Sequence, residues 1–385
     1  MKELSSIKRE GEGTAIGIRL AVTIFFTNMS QMPFFISMRI TRYISIGIWI
    51  AFFASWLFSE NQGRFSIKGF PIVAAVIINI YSYVMRFFDP SFAESDLFTP
   101  ILMSAFIYLN GKNIGYHLNQ KDMKRAFTAY IISSFFVCLS IYFSFLRGKS
   151  IVGRDYLYSS KNSVSQIIWT GMILIMLTKY RNIDRRFAKM LYVLAFLFML
   201  YSLAIMKARA TLICIPVVVL IILFNHVTKP GVKALIAVSM IVVIMVLSNE
   251  RTYYSFINNI VYAGRSATNI NDLTSERYGE WVEFGKVFFK NNYLFGNGRY
   301  KMESLVLTSL LEYGMLIGSF ILVLAVYPIH YVRKAKKTNS IIILTCIAVS
   351  YAINSIFEQL APFGPGVKCY FLWLLLGILQ TSTVE

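Results

Sequence analysis

Apolar runs about 20 residues long, separated by short polar links, set the plan of this chain. About 20 helical residues cross a hydrocarbon core about 30 Å thick. On that measure the pattern predicts twelve spans. They lie near 15–36, 41–58, 69–87, 97–112, 126–146, 163–179, 187–206, 210–225, 234–248, 304–327, 339–357 and 367–382. A β-barrel would instead show short alternating strands. The expected fold class is therefore all-α, with residues 1–385 forming a single polytopic membrane domain. One polar excursion, 249–303, is too long for a simple connector. Within it, Tyr278, Trp281, Val282 and Phe288 alternate with Glu276, Glu280 and Glu283 at helical spacing. That pattern predicts a helix over 275–290 lying along the membrane surface. Asn291-Asn292 and Gly296-Asn297-Gly298 mark turns after it. No internal repeat or low-complexity tract is visible.

Composition agrees with the pattern: the chain is 56% hydrophobic, against about 45–50% for soluble domains. The net charge of +19 would suggest nucleic acid in a soluble protein. Here the cations sort by loop. With the N-terminus inside, one side receives Arg64 and Lys68; Lys121, Lys124 and Arg125; Arg181, Arg185, Arg186 and Lys189; Lys229 and Lys233; and Arg333, Lys334, Lys336 and Lys337. The opposite side receives Asp89, Glu94 and Asp96. The positive-inside rule then places both termini in the cytoplasm and the 249–303 loop outside, and no nucleic-acid partner is expected. Lys2, Lys8 and Arg9 precede the first run without a cleavage site, so that run is expected to stay as an anchor. The four cysteines, Cys138, Cys214, Cys346 and Cys369, sit inside apolar runs and read as small buried hydrophobes.

Two outside segments break the charge rule. The 147–162 loop carries Arg147, Lys149, Arg154 and Lys161 against Asp155 alone, and the 207–210 turn carries Lys207 and Arg209. The bland reading is that late loops tolerate positive charge. The reading favoured here is an external anion site, because cations at a bilayer boundary are commonly functional and both exceptions share a face with the largest loop. All three histidines, His117, His226 and His330, fall on the cytoplasmic side. That argues against a histidine metal centre or a Ser-His-Asp triad outside. No GxxxxGK[ST] phosphate loop is present. What remains outside is arginine, lysine and a few carboxylates. Guanidinium groups grip phosphate bidentately, which suits a diphosphate leaving group without a metal. A carboxylate can act as general base; the candidates are Asp155, Asp272, Glu276, Glu280, Glu283 and Glu303. For most of them a solvated surface charge is the ordinary reading. Arg277 has Glu276 and Glu280 within reach as ion-pair partners.

These residues resemble the O-antigen polymerase and O-antigen ligase superfamily of bacterial envelopes, mainly over 150–320. Lys161-Asn162-Ser163 resembles the family's Asn-containing start of a span. Lys207-Ala208-Arg209 resembles its Ser-Arg-Gly segment. Arg277 with Trp281, followed by Asn292-Tyr293-Leu294-Phe295-Gly296-Asn297-Gly298, resembles its Arg-x-x-x-Trp and Asn-Pro-Leu-x-Gly-x-Gly run. Leu311-Glu312-Tyr313-Gly314 through Gly318 resembles its glutamate-glycine re-entry helix. Ligase-like members carry His-Asn just before that helix, whereas this chain has Glu303-Ser304, which counts against ligase chemistry.

The resemblance implies a fold similar to the multi-span GT-C glycosyltransferases and a bacterial inner-membrane location with a periplasmic site. It implies a metal-independent polymerase that needs no cofactor. Such an enzyme moves a growing glycan from undecaprenyl diphosphate onto an incoming lipid-linked repeat unit. Membrane lipid and a chain-length regulator protein are the partners implied. On this reading Arg209, Arg277 and Arg154 hold diphosphate. Lys207, Lys161, Asn162, Arg265, Trp281 and Arg299 complete the substrate site, and Glu303, or else Glu280, is the base. The runner-up is a ligase acting on lipid A–core. The third reading is a flippase, which would need charged residues in a central cavity.

Overall fold

The computed structural model describes residues 2–32, 34–35, 38, 40–58, 65–94, 97–147, 161–179, 186–206, 208–226, 277–290, 292–298, 302–364 and 369–381. Among them every regular element is a helix. In order these are α1 (Lys2–Met29), α2 (Thr41–Leu57), α3 (Phe70–Phe88), a 3-10 turn (Pro90–Glu94), α4 (Phe98–Ile114) and α5 (Gln120–Leu146). There follow α6 (Lys161–Leu174), which continues as a π-helical turn (Ile175–Lys179), then α7 (Arg186–Ile205), α8 (Arg209–His226) and α9 (Arg277–Phe288). Last come α10 (Leu305–Lys334), α11 (Asn339–Phe357) and α12 (Tyr370–Thr381). Among the described residues, five helices contain stretches long and apolar enough to cross a membrane: Phe70–Phe88, Gln120–Leu146, Arg186–Leu203, Leu305–Lys334 and Asn339–Phe357. The expected span at 234–248 lies outside the described residues.

Local chemistry sets the ends. Pro71 sits in the first turn of α3, where a missing N–H costs nothing. α5 starts at Gln120, six residues before the apolar run, because a capping box holds it there. The Asn119 side chain accepts the Asp122 N–H at 2.9 Å, and Asp122 accepts the Asn119 N–H at 3.3 Å. Thr338 caps α11 through the Ile341 N–H at 3.3 Å. The first helix stops at Met29, short of the expected 36.

The bundle packs backbone close to backbone, as membrane helices do where small residues face each other. Gly111 of α4 lies against the Leu374 carbonyl of α12, and Gly377 of α12 lies against the Tyr108 carbonyl. Large apolar side chains such as Phe26, Ile80, Leu194 and Val326 are exposed on the outside. The interior holds polar groups joined from helix to helix. Asn28 donates to Ser133 at 2.8 Å and accepts from Tyr370 at 3.2 Å, while Trp169 donates to Ser350 at 2.9 Å.

The expected straight span over 304–327 is broken. Gly314 takes φ 68° and ψ −177° in the middle of α10, so 305–313 and 315–334 are separate half-helices. In a straight helix Ser309 and Gly318 would stand about 13 Å apart along the axis. Here a Cβ on Gly318 would overlap the Ser309 carbonyl, so the first half folds back on the second. The 315–334 half runs to a short link, 335–338, and α11 returns alongside it. The helix break, the C-terminus of α11 and the C-terminus of α3 therefore share one end of the bundle. The N-termini of α6 and α8 share it too, since Trp169 of α6 and Cys214 of α8 both bond to Ser350 of α11.

Candidate functional site

Breaking a helix frees backbone groups, and inside a bilayer each must be satisfied by protein. The 292–298 segment does this for α10. The Asn297 and Gly298 N–H groups donate to the Leu311 and Glu312 carbonyls at 3.2 and 3.1 Å. In return, Met315 N–H donates to Tyr293 at 2.7 Å and Leu316 N–H to Leu294 at 3.4 Å. A Cβ on Gly314 would overlap the Leu294 carbonyl, and one on Gly296 the Glu312 carbonyl, so the two strands of backbone touch. The knot is anchored to α3 and the turn after it. Tyr81 donates to the Phe295 carbonyl, and Ser91 donates to the Asn297 carbonyl at 2.5 Å. The rings of Tyr81, Phe92 and Tyr313 stand 6.2–6.5 Å apart beneath it.

At the break sits Glu312, fully buried. An ionisable side chain at membrane depth is a functional candidate by default. Sequence reasoning quoted Glu312 only as part of a motif and did not place it among the carboxylates. The available signal was a glutamate inside an apolar run, two residues before a glycine.

α9 packs on the first half of α10. Phe284, Val287 and Phe288 meet Met302, Leu307, Leu310 and Leu311, with the Phe284 and Phe288 rings stacked at 5.0 Å. The helix therefore meets protein through a face of its own. Of the four apolar residues expected on one face, Phe288 is turned inward, while Tyr278, Trp281 and Val282 are each about half exposed. The helix carries apolar side chains on two faces, and amphipathic spacing alone does not say which one meets protein.

Two expected site residues are brought into direct contact. The Glu280 carboxylate accepts the backbone N–H of Glu303 at 2.9 Å. Glu280 thereby ties α9 to the segment that leads into α10, a positioning role, while the Glu303 side chain is exposed at the same end of the bundle. Glu280→Ala removes a charge-assisted acceptor worth about 1–2 kcal/mol at a half-buried position. Faster amide hydrogen exchange at 302–305 is the expected reading, with α11 unchanged; equal exchange in both proteins would remove the positioning role.

Two more meet through their helices. Lys161 opens α6 and Arg209 opens α8, and a 2.5 Å hydrogen bond between Ser165 in the second turn of α6 and Thr211 in the first turn of α8 joins the two helices near their starts. Neither first turn contains an acidic residue. The orphan N–H groups of both turns and the positive ends of both dipoles therefore lie side by side, an arrangement that attracts anions. A cation there opposes its own helix dipole, so neither Lys161 nor Arg209 is explained by helix stability. The side chains of Lys161, Asn162, Arg209 and Arg277 lie outside the described residues, as do Arg154, Lys207, Arg265 and Arg299 entirely. Among the described residues, no three His, Cys, Asp or Glu side chains stand together as metal ligands. The chain matches no family model, no curated protein and no solved structure.

Proposed function

We propose that this protein is a membrane polysaccharide polymerase, transferring a glycan from a polyprenyl diphosphate to a second lipid-linked repeat unit. The observation that supports it best is the convergence of the α6 and α8 N-termini, each opened by a cation, at the bundle end that carries the broken helix and Glu303. Phosphate-rich leaving groups suit paired helix N-termini with added Lys and Arg. Irregular backbone at membrane depth belongs where protein buries it or a cavity needs it. Glu303, exposed and one residue before the N-cap Ser304, is the base in this reading. The reaction breaks the anomeric C–O bond to diphosphate and forms a glycosidic C–O bond. The acceptor proton passes to the carboxylate, and the lipid diphosphate leaves.

A transporter of lipid-linked sugars is the second reading, because broken helices also build transporter sites. The test is turnover by the purified protein with a synthetic lipid diphosphate oligosaccharide. A product ladder with release of free lipid diphosphate supports the polymerase. Movement of substrate across a vesicle bilayer without bond cleavage supports the transporter. Within the same assay, Glu303→Gln is expected to slow the ladder by about 10²–10⁴ while substrate still binds. A loss under about tenfold would pass the base role to another carboxylate.

A further inference from the structure

The interface between α6, α8 and α11 is paired rung by rung. Trp169 of α6 donates to the Ser350 hydroxyl at 2.9 Å, and Thr170 meets the Tyr351 hydroxyl at 3.0 Å. From α8, Cys214 donates to the Ser350 carbonyl at 3.4 Å. One turn further along α11, on the stripe that Ser350 and Tyr351 define, comes Asn354. The matching positions one turn towards the helix starts are Ser165 on α6 and Thr211 on α8, whose hydroxyls bond each other at 2.5 Å. Asn354 is fully buried, yet neither its amide nitrogen nor its oxygen has a hydrogen-bonding partner among the described residues. Leaving a buried donor and acceptor unmade is costly, and membrane interiors offer no bulk water to offset it. The rungs below are satisfied, so the exception is local to this level.

Above this level lie the first residues of α6 and α8, Lys161 and Arg209. An anion belongs there, with the dipole ends and the cations. It does not belong at Asn354, where it would use the amide donor and be repelled by the amide oxygen. An amide open on both atoms complements a neutral group that both donates and accepts. One helical turn is about 5.4 Å, comparable to the reach from an anomeric phosphate to the substituent on C2 of the same ring.

We infer that Asn354, at the level of Ser165 and Thr211, forms a polar notch that binds the hydroxyl or acetamido substituent of the sugar attached to the diphosphate. The inference rests on the diphosphate reading given under Proposed function and adds a sugar-recognising floor to that site.

The experiment measures binding of four synthetic ligands to the full-length protein in lipid nanodiscs. They are a polyprenyl diphosphate with no sugar, and the same lipid carrying a 2-acetamido, a 2-hydroxy or a 2-deoxy sugar. The wild type is expected to bind at least one substituted sugar at least about tenfold more tightly than the 2-deoxy sugar, since a site built to hydrogen-bond a group rejects the analogue that lacks it. The acetamido and hydroxy arms say which group is taken. Asn354→Leu, with the same branching of heavy atoms and no polar atoms, is expected to erase that preference while leaving the sugar-free lipid bound as before. Its thermal midpoint is expected to hold or rise, because an unsatisfied buried amide is removed. Asn354→Ser, smaller and still polar, is expected to keep part of the preference. Equal binding of all three sugars by the wild type overturns the notch and leaves the diphosphate site standing. So does an equal loss on every ligand in Asn354→Leu. Failure of the sugar-free lipid and every glycolipid to bind the wild type overturns the diphosphate reading and the notch together.

Discussion

Gly314→Ala is expected to abolish turnover and to lower the thermal midpoint sharply. Two penalties add. The backbone at Gly314, φ 68° and ψ −177°, is a region open almost only to glycine, and forcing another residue there costs about 1–3 kcal/mol. The added Cβ would also overlap the Leu294 carbonyl, which cannot retreat freely. Leu294 accepts from Leu316, its neighbour Tyr293 accepts from Met315, and Phe295 is held by Tyr81. Relieving the overlap means parting the 292–298 segment from α10 and breaking the four backbone hydrogen bonds between them. A total above about 3 kcal/mol is expected. Cleavage by protease between 290 and 301 is expected to rise with it. The control is Gly285→Ala in α9, where the added Cβ meets nothing within 4 Å and the backbone is helical. That substitution is expected to be neutral or stabilising by up to about 1 kcal/mol. A Gly314→Ala protein that melts with the wild type would mean that the two half-helices do not need the break.

How much of this was legible beforehand depends on the kind of signal. Apolar length located the helices: the span expected at 339–357 is α11 to the residue, and α3 and α8 agree within a residue or two. Capping was the missed local signal at α5, since Asn119 and Asp122 stood in the sequence but the apolar run alone was followed. The broken helix was half legible. Gly296 and Gly298 read as turn markers and Gly314 only as part of a motif, and nothing in one dimension says that the 292–298 turn repairs the break at 314. That pairing is a contact between backbones, which leaves no pattern of side chains. The protein-facing side of α9 was not legible, because Phe284, Val287 and Phe288 on one face and Tyr278, Trp281 and Val282 on the other are all apolar. Glu312 and Asn354 do not belong to the charge pattern of the loops; their signal is a single polar side chain inside an apolar run, the stronger mark of a site in a membrane.

Arg209→Ala is expected to cut turnover by about 10²–10³, the effect typical of removing one preorganised group from the charge that develops in a transition state. The position makes the prediction sharp. Arg209 is the first residue of α8, joined to the start of α6 through Ser165 and Thr211, and no acidic residue lies in its first turn. A cation at a helix N-terminus is unfavourable to that helix by about 0.3–1 kcal/mol. Removing it should therefore leave the thermal midpoint unchanged or slightly raised, so activity and stability are expected to move in opposite directions. Arg209→Lys separates charge from shape. It keeps the positive charge but loses the planar fork that the diphosphate reading requires, and is expected to recover only part of the rate. Arg209→Glu, favourable to the dipole and repulsive to phosphate, is expected to be the most stable variant and the least active. Binding of the sugar-free lipid diphosphate should weaken in the same order as the rates, from Lys to Ala to Glu. An Arg209→Ala protein that works within about threefold of the wild type would leave Arg209 as a membrane-boundary anchor and move the diphosphate to other cations at that end of the bundle.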